Sequence, residues 1–463
     1  MGCKSRYRKR HPVGRGYKGH DGDQRWGHGT RHQLKRVHQL CPQSIFFRAH
    51  PSSRYSIAAL IGSLEADHRL VELEIRAPIT LKMEAIQKSV ERGTTIVAHS
   101  VMSTQAKRVY EEVRRMREMF GAKVIIVGGG PHASARPRDL LSSGFDYLVI
   151  GEGERALPEL IESLMTGKDP LEVPGVVGRD TEILPQPRDL PIVNLNDYPP
   201  FALGLNIVGP IEVTRGCPFQ CKFCCTPFLT GCRVRHRSVD SVTKWLTLAV
   251  ERSGFTRAWF LSPNALSYGG RGMKPEPTKL ETLLRESTKV EGLEEVYFGS
   301  FPSEVRPEFV TQPILEMLRG YVANSSVQIG LQSSSDRVLS SANRHHTVEQ
   351  GLRAVEIALD AGFVPHVDMI FGLPGETEKE LHDSAELCYT LVNMGAKMHG
   401  HVFMPLPGSA FESMPPGRLD HESRRLLGEL SRRKDMTGSW SAQENLAEEL
   451  WSQNRESEGS QLK

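Results

Sequence analysis

From Ser44 to about residue 410 the chain alternates short apolar runs with amphipathic stretches, and this rhythm is the feature that most narrows its possible folds. Each run has the length of a buried strand and each stretch between runs the length of a helix, which points to β/α units around a mainly parallel sheet. Candidate strands fall at 44–47, 70–75, 95–98, 123–127 and 147–150. The clearest helix between them is at 103–120, where Val109, Val113, Met116 and Phe120 recur at spacings of three and four while Arg108, Glu111 and Arg115 face away. A helical stretch at 157–165 closes this unit. Residues 171–205 then carry Pro174, Pro185, Pro187, Pro191, Pro199 and Pro200, too many for either regular element, and read as a linker.

A second series starts at 211, with strands expected at 211–214, 258–261, 295–299, 326–331, 366–371 and 399–404. Its best helix, at 347–361, offers Leu352, Val355, Ile357 and Leu359 for burial and stops at Gly362. Six such units suggest an open version of the β/α barrel, whose active site lies at the carboxyl ends of the strands. The expected organisation is therefore α/β throughout. A Rossmann-like unit occupies 44–170, the linker 171–205, a partial (β/α)6 barrel 206–410 and a charged helical tail 411–463.

The first forty residues break the pattern. They hold eleven Lys or Arg against Asp21 and Asp23, with five His and seven Gly, so the net charge of +3 hides a mildly acidic body. Without an apolar face to repay the entropy of ordering, residues 1–43 read as a basic flexible extension, the one place where nucleic acid could bind. Met1-Gly2 does not open a myristoylation motif, because Arg6 stands where Ser or Thr is required. No signal-type apolar segment follows it. No run approaches the ~18 apolar residues of a membrane helix, so membrane insertion is not expected. With 39% hydrophobic and 24% charged residues the chain is neither collagen-like nor wholly disordered.

Five of the eight cysteines, Cys217, Cys221, Cys224, Cys225 and Cys232, crowd into one segment directly after the first barrel strand. Such clustering speaks for metal chemistry in a reducing cytoplasm rather than a disulfide scaffold. The first three are spaced C-x3-C-x2-C. Three thiolates from one loop can hold three irons of a four-iron cluster and leave the fourth open to a substrate. A structural zinc site would need a fourth ligand at paired spacing, and Cys225, Cys232 and His236 do not supply C-x2-C pairs.

The segment Thr214-Arg215-Gly216-Cys217-Pro218-Phe219-Gln220-Cys221-Lys222-Phe223-Cys224 resembles the cluster loop of the radical S-adenosylmethionine (SAM) enzymes, including the aromatic Phe223 before the third cysteine. Downstream, Gln332-Ser333-Ser334-Ser335-Asp336, then Asn343-Arg344, then the segment from Asp368 to Thr377 follow in the order and spacing of that superfamily. The resemblance implies a 4Fe–4S cluster on Cys217, Cys221 and Cys224. It further implies that the open iron chelates the amino and carboxylate groups of SAM, that Arg344 pairs with the carboxylate, that Gln332 and Asp368 hydrogen-bond the ribose or nearby polar atoms, and that Ile370 packs on adenine. Two departures stand out. Ser334 replaces an expected Gly, and Leu261-Ser262-Pro263-Asn264 stands where the usual Gly-Gly-Glu would be, with Ser262 or Asn264 left as candidates for the methionyl amine.

In the amino-terminal unit, Gly128-Gly129-Gly130-Pro131-His132-Ala133 fits a dinucleotide fingerprint only formally, because it follows the fourth strand rather than the first and contains Pro131. Together with His99-Ser100 and Gly151-Glu152-Gly153-Glu154 it resembles the cobalamin-binding domain that precedes the radical domain in one branch of the superfamily. That resemblance implies cobalamin contacts at Ser100, Gly128, Gly129, Gly130, His132, Gly151 and Glu152. No His is preceded by Asp two residues earlier, so the D-x-H-x-x-G motif of a lower cobalt ligand is missing. His132 is therefore left to a hydrogen bond with corrin side chains or to loop structure.

The implied function is a radical SAM enzyme that methylates an unactivated carbon. The cluster reduces SAM, the 5′-deoxyadenosyl radical takes hydrogen from an unidentified substrate, methylcobalamin gives the methyl group, and a ferredoxin or flavodoxin supplies electrons. The alternatives are a radical cyclase or rearranging enzyme with the same domains, and a non-enzymatic iron–sulfur sensor. A methylthiotransferase would call for further amino-terminal cluster cysteines and a carboxy-terminal RNA-binding barrel, which the sequence does not display.

Overall fold

The computed structural model of the chain describes residues 42–461. Most of the expected basic extension lies outside the described residues, but Pro42 and Gln43, assigned to it, open the first strand. Six strands, β1 (Pro42–Arg48), β2 (Glu74–Arg76), β3 (Thr94–Ser100), β4 (Val124–Gly129), β5 (Tyr147–Val149) and β6 (Val176–Gly178), form a sheet in the order β2-β1-β3-β4-β5-β6. All pairings are parallel except β5 with β6. Both faces are covered, as a parallel sheet requires. Ile45, Phe47, Ile96 and Ala98 pack on one side, while Phe46 and Val97 pack on the other.

Helix Ala106–Phe120 buries Val113, Met116 and Phe120 as its spacing predicts, after a 3-10 turn at Ser103–Gln105. The strand expected at 70–75 is displaced. Asp67 accepts the Arg69 amide and holds residues His68–Leu70 in a 3-10 turn, so extended backbone begins only at Glu74. The proline-rich segment is not free of regular structure either. Its Val176–Gly178 stretch completes the sheet as the antiparallel edge strand, and Phe201 packs against Trp245 of the next domain. The backbone lies so close here that a Cβ at Gly62 would meet the Phe201 carbonyl at 2.4 Å.

The second unit contains β7 (Ile211–Glu212), β8 (Thr214–Arg215), β9 (Arg235–His236), β10 (Arg257–Leu261), β11 (Glu295–Tyr297), β12 (Ser326–Gln332), β13 (Val364–Phe371), β14 (Lys397–Val402) and β15 (Met436–Thr437). Parallel pairings run β7-β10-β11 and β12-β13-β14-β15, and a parallel bridge from Val305 to Ile329 joins the two groups into an open barrel. β8 and β9 form a small hairpin that introduces the cysteine loop. Along β13, Val367, Met369 and Phe371 belong to the apolar core shared with the helices, so Asp368 and Ile370 take the other face of the strand.

Two expectations need correcting in this unit. Helix Val348–Asp360, capped by a Thr347–Gln350 capping box, buries Gly351, Ala354, Val355 and Ala358, whereas Leu352, Ile357 and Leu359 are only half-buried. The small residues let the helix sit close, since a Cβ at Gly351 would approach Leu331 to 2.2 Å. The tail beyond 410 is helical but not separate. It supplies β15, places Leu427 and Leu430 in the barrel core, and uses Asn454 to cap the carbonyls of Pro405 and Glu412. No helix among the described residues is long and apolar enough to cross a membrane.

Candidate functional site

The cysteine loop is pinned by its backbone. The Cys217 amide donates to Gly231, the Lys222 amide to Ala342, and the Cys224 amide to Cys221, each at 3.0 to 3.1 Å. Asn343 donates through its side chain to the carbonyls of Phe219 and Gln220 at 2.8 and 3.0 Å, which ties the loop to the turn that carries Arg344. Gly216 has a φ of 89°, and any Cβ there would meet the Arg233 carbonyl at 2.2 Å. Cys217 lies close enough to Cys221 and Cys224 for their charges to act on it. Burial pushes the Cys217 thiol up to about 11 and raises Cys224. Cys225 is pushed by burial to about 12 and feels only its neighbour Cys224 among the cysteines. Among the described residues, the only trio of metal-ligating donor atoms within 4.8 Å of one another is elsewhere, at Asp368, His399 and His401.

The residues expected around SAM converge on this loop. Arg344 is buried, with Nη1 3.5 Å from the Cys221 sulfur, Nη2 2.5 Å from the Gly330 carbonyl, and Nε without a partner. It is no surface cation. Gln332 ends β12 at φ 80°, where the register with β13 shifts, an uncommon backbone conformation of the kind that gathers at functional sites. Asp368 accepts from Gln328 at 2.6 Å and from His399 at 2.8 Å through the same oxygen, leaving its second oxygen free of both. Ile370 and Phe223 pack against one small apolar group of Val338, Leu373, Phe403 and Phe411. Asn264, one of the two candidates for the methionyl amine, holds the Arg306 amide through its oxygen while its buried Nδ2 has no partner. Ser262 instead donates to the Asn264 carbonyl at 2.8 Å.

The glycine-rich end of β4 opens onto a cavity of about 360 Å³. Ser100, Gly129, Gly130 and Gly151 line one wall, and Arg215, Leu229 and Thr230 of the cysteine-loop hairpin and following helix line another. A Cβ at Gly129 would come no nearer than 3.7 Å to any protein atom, whereas at Gly128 it would strike Leu148 at 2.7 Å. Gly129 therefore keeps the cavity open, and Gly128 both lines it and is required by its close packing on Leu148. His132 does not line the cavity. Its Nε2 pairs with the Tyr110 hydroxyl at 2.6 Å and its Nδ1 with Ser103 at 3.0 Å, and burial lowers it to about 4, which fits the loop-structural role. Glu152 reaches the cavity, but its carboxylate is taken by Arg235 and by the Val193 amide. With Arg215, which binds Glu154 at 2.5 Å, it forms a buried ionic junction between the two units.

Sequence reasoning missed this junction, the His399 contact to Asp368, and Arg306. The signal for His399 was its place opposite Asp368 in the parallel register of β13 and β14.

Comparison with known proteins completes the picture. Residues 44–161 match the family model of the B12 binding domain, and residues 211–388 match that of the radical SAM superfamily. An uncharacterized protein of Methanopyrus kandleri is 29% identical over 374 residues, 69% of this chain and 68% of that protein. The tRNA-2-methylthio-N(6)-dimethylallyladenosine synthase of Magnetococcus marinus is 26% identical over 331 residues, 70% of each chain. Among solved structures, the radical SAM methyltransferase TsrM of Kitasatospora setae, with cobalamin and a [4Fe-4S] cluster bound, shares the fold at a TM-score of 0.61 and 18% identity, over 81% of this chain and 78% of that one. The cobalamin-dependent radical SAM enzyme OxsB shares it at 0.59 and 17% identity, over 77% of this chain and only 53% of OxsB. The two domains take a 4Fe–4S cluster, SAM and cobalamin, and the residues found here fit them: three free cysteines on one loop, orphaned buried donors on Arg344 and Asn264, and a glycine-rich cavity wall. With a B12 binding domain joined to a radical SAM domain in one chain, this protein belongs to the cobalamin-binding radical SAM enzymes.

Proposed function

We propose that the chain is a methyltransferase acting on an unactivated carbon. The observation that carries this reading is the single cavity bounded by the glycine end of β4 on one side and by the cysteine-loop hairpin on the other. When bound, the cluster, SAM and cobalamin supply an electron, a 5′-deoxyadenosyl radical and a methyl group. The chain's own residues bind and orient. Cys217, Cys221 and Cys224 hold three cluster corners and leave the fourth to the amino and carboxylate groups of SAM. Arg344, with its unpartnered Nε, pairs with the carboxylate. Asp368 offers the ribose its second oxygen, Gln332 reaches the same sugar, and Ile370 with Phe223 forms the apolar seat for adenine. Ser100, Gly129, Gly130 and Gly151 give the corrin or its nucleotide tail a flat wall. A ferredoxin or flavodoxin serves as electron donor.

Anaerobic incubation with reductant, cobalamin and SAM labelled in its methyl group tests this. The expected products are 5′-deoxyadenosine, labelled methylcobalamin and S-adenosylhomocysteine. Release of 5′-deoxyadenosine with the label left in SAM and methionine would favour a radical cyclase or rearranging enzyme, and neither product would favour a sensor. The similarity to tRNA-modifying synthases supports a second reading, group transfer to a tRNA adenosine. Label recovered in nucleosides after adding tRNA to the same incubation would establish it.

A further inference from the structure

We propose that Arg306 is a positioning residue for the cluster: together with Arg344 it clamps the Cys221 sulfur and sets the reduction potential of the cluster that this cysteine holds. Two guanidinium groups reach one sulfur. Nη1 of Arg306 and Nη1 of Arg344 each lie 3.5 Å from Cys221 Sγ, within hydrogen-bond distance for sulfur. Arg306 is only 3% exposed and is fixed on three counts. Its guanidinium stacks 3.6 Å over the ring of Phe219, itself part of the loop between Cys217 and Cys221. Its Nε donates to Glu308 at 2.6 Å, and its backbone amide donates to the Asn264 side chain at 3.3 Å. This leaves Nη1 on the sulfur and Nη2 buried without a protein partner, a costly arrangement unless a bound group accepts its hydrogen bond.

The consequence for the cluster follows from charge. Reduction adds an electron to a group whose negative charge extends over its thiolates. Hydrogen bonds to those sulfurs and nearby positive charge favour the reduced state and raise the potential. A guanidinium does not lose its proton, so the effect persists across the working pH range. Both arginines act through Cys221, and among the described residues neither Cys217 nor Cys224 is given an arginine hydrogen bond. The inference rests on the reading of Cys221 as a cluster ligand.

The test is a reductive titration of the reconstituted protein, followed by electron paramagnetic resonance (EPR) of the reduced cluster, with iron content measured in parallel. In Arg306→Gln the ratio of reduced to oxidised cluster at a fixed potential is expected to fall about tenfold, a shift of about 59 mV for one electron, with iron content unchanged. Arg306→Lys, which keeps the charge but not the planar fork, is expected to fall between that variant and the wild type. A full cluster in Arg306→Gln with the wild-type potential would overturn the proposal. So would a Gln variant without iron beside a Lys variant with full iron and wild-type potential, because Arg306 would then be structural only. Full iron in Cys221→Ala would instead remove the ligand assignment beneath it, and would show as such before any titration.

Discussion

The cavity end of β4 looks toward Arg215, Leu229 and Thr230, which flank the cysteine loop, yet the two regions are made by different means. At Gly129 the wall exists because a side chain is missing, and a Cβ there would find 3.7 Å of clear space within the protein. At the cysteine loop the site exists because particular side chains stand at C-x3-C-x2-C spacing, each held by backbone hydrogen bonds. A ligand met by bare backbone leaves little trace in sequence beyond glycine. A cluster held by sulfur leaves a motif. The two regions should therefore respond to substitution in separable ways, and the ionic junction of Glu152, Glu154, Arg215 and Arg235 decides how separable they are.

The largest expected effect is at the loop. Alanine at Cys217, Cys221 or Cys224 should abolish the cluster, while Cys225→Ala and Cys232→Ala should retain it, as read from iron content and the visible spectrum of anaerobically reconstituted protein. A clusterless Cys225→Ala with an intact Cys224→Ala would reverse the assignment. On the cavity side, Gly129→Val should cost most of the bound cobalamin and none of the iron, because its side chain enters the ligand's space and not the protein's. Gly128→Val should behave differently, losing folded protein through its clash with Leu148 and Phe145. Equal cobalamin binding by Gly129→Val and wild type would take the corrin away from this wall.

The junction comes next. Glu152→Ala leaves Arg235 buried without its carboxylate and should destabilise the apo-protein by about 3 kcal/mol in denaturant unfolding, the lower end of the cost of breaking a buried pair. A separate early transition for one domain in this variant would show that the junction holds the two units together. The smallest effect is expected at Arg344. Its replacement by Ala should weaken SAM binding by about 1.5 to 3 kcal/mol, the worth of a charge-assisted hydrogen bond, with iron content normal. Calorimetric titration that finds unchanged affinity would leave Arg344 a loop-bracing residue on Gly330 and Cys221.

How far the sequence could be read follows the same division. Barrel strands with strong apolar alternation, such as Ser326–Gln332 and Val364–Phe371, lie where the pattern puts them. β6 and β15 were not legible, because three- and two-residue strands are specified by the partner they pair with and not by their own residues. The buried face of the Val348–Asp360 helix was misread because close approach to β12 favours Gly and Ala over the larger Leu and Ile. In the site, the cysteines and Arg344 were legible by spacing. Arg306 was not, since nothing local distinguishes an arginine stacked on Phe219 from one in solvent. That His132 sits away from the cavity was not legible for a related reason: a histidine beside a glycine loop looks available until Tyr110 and Ser103 are found on its nitrogens.

The central claim is that cobalamin sits in the cavity at the end of β4, beside the cluster loop that Arg215, Leu229 and Thr230 flank. EPR of protein loaded with both, poised so that cob(II)alamin and the reduced cluster are present together, tests it most directly. Magnetic coupling between the two centres is expected, together with its loss in Gly129→Val and no nitrogen splitting from a protein histidine on cobalt, since the chain carries no D-x-H-x-x-G motif. Two fully loaded centres with no coupling would contradict the account.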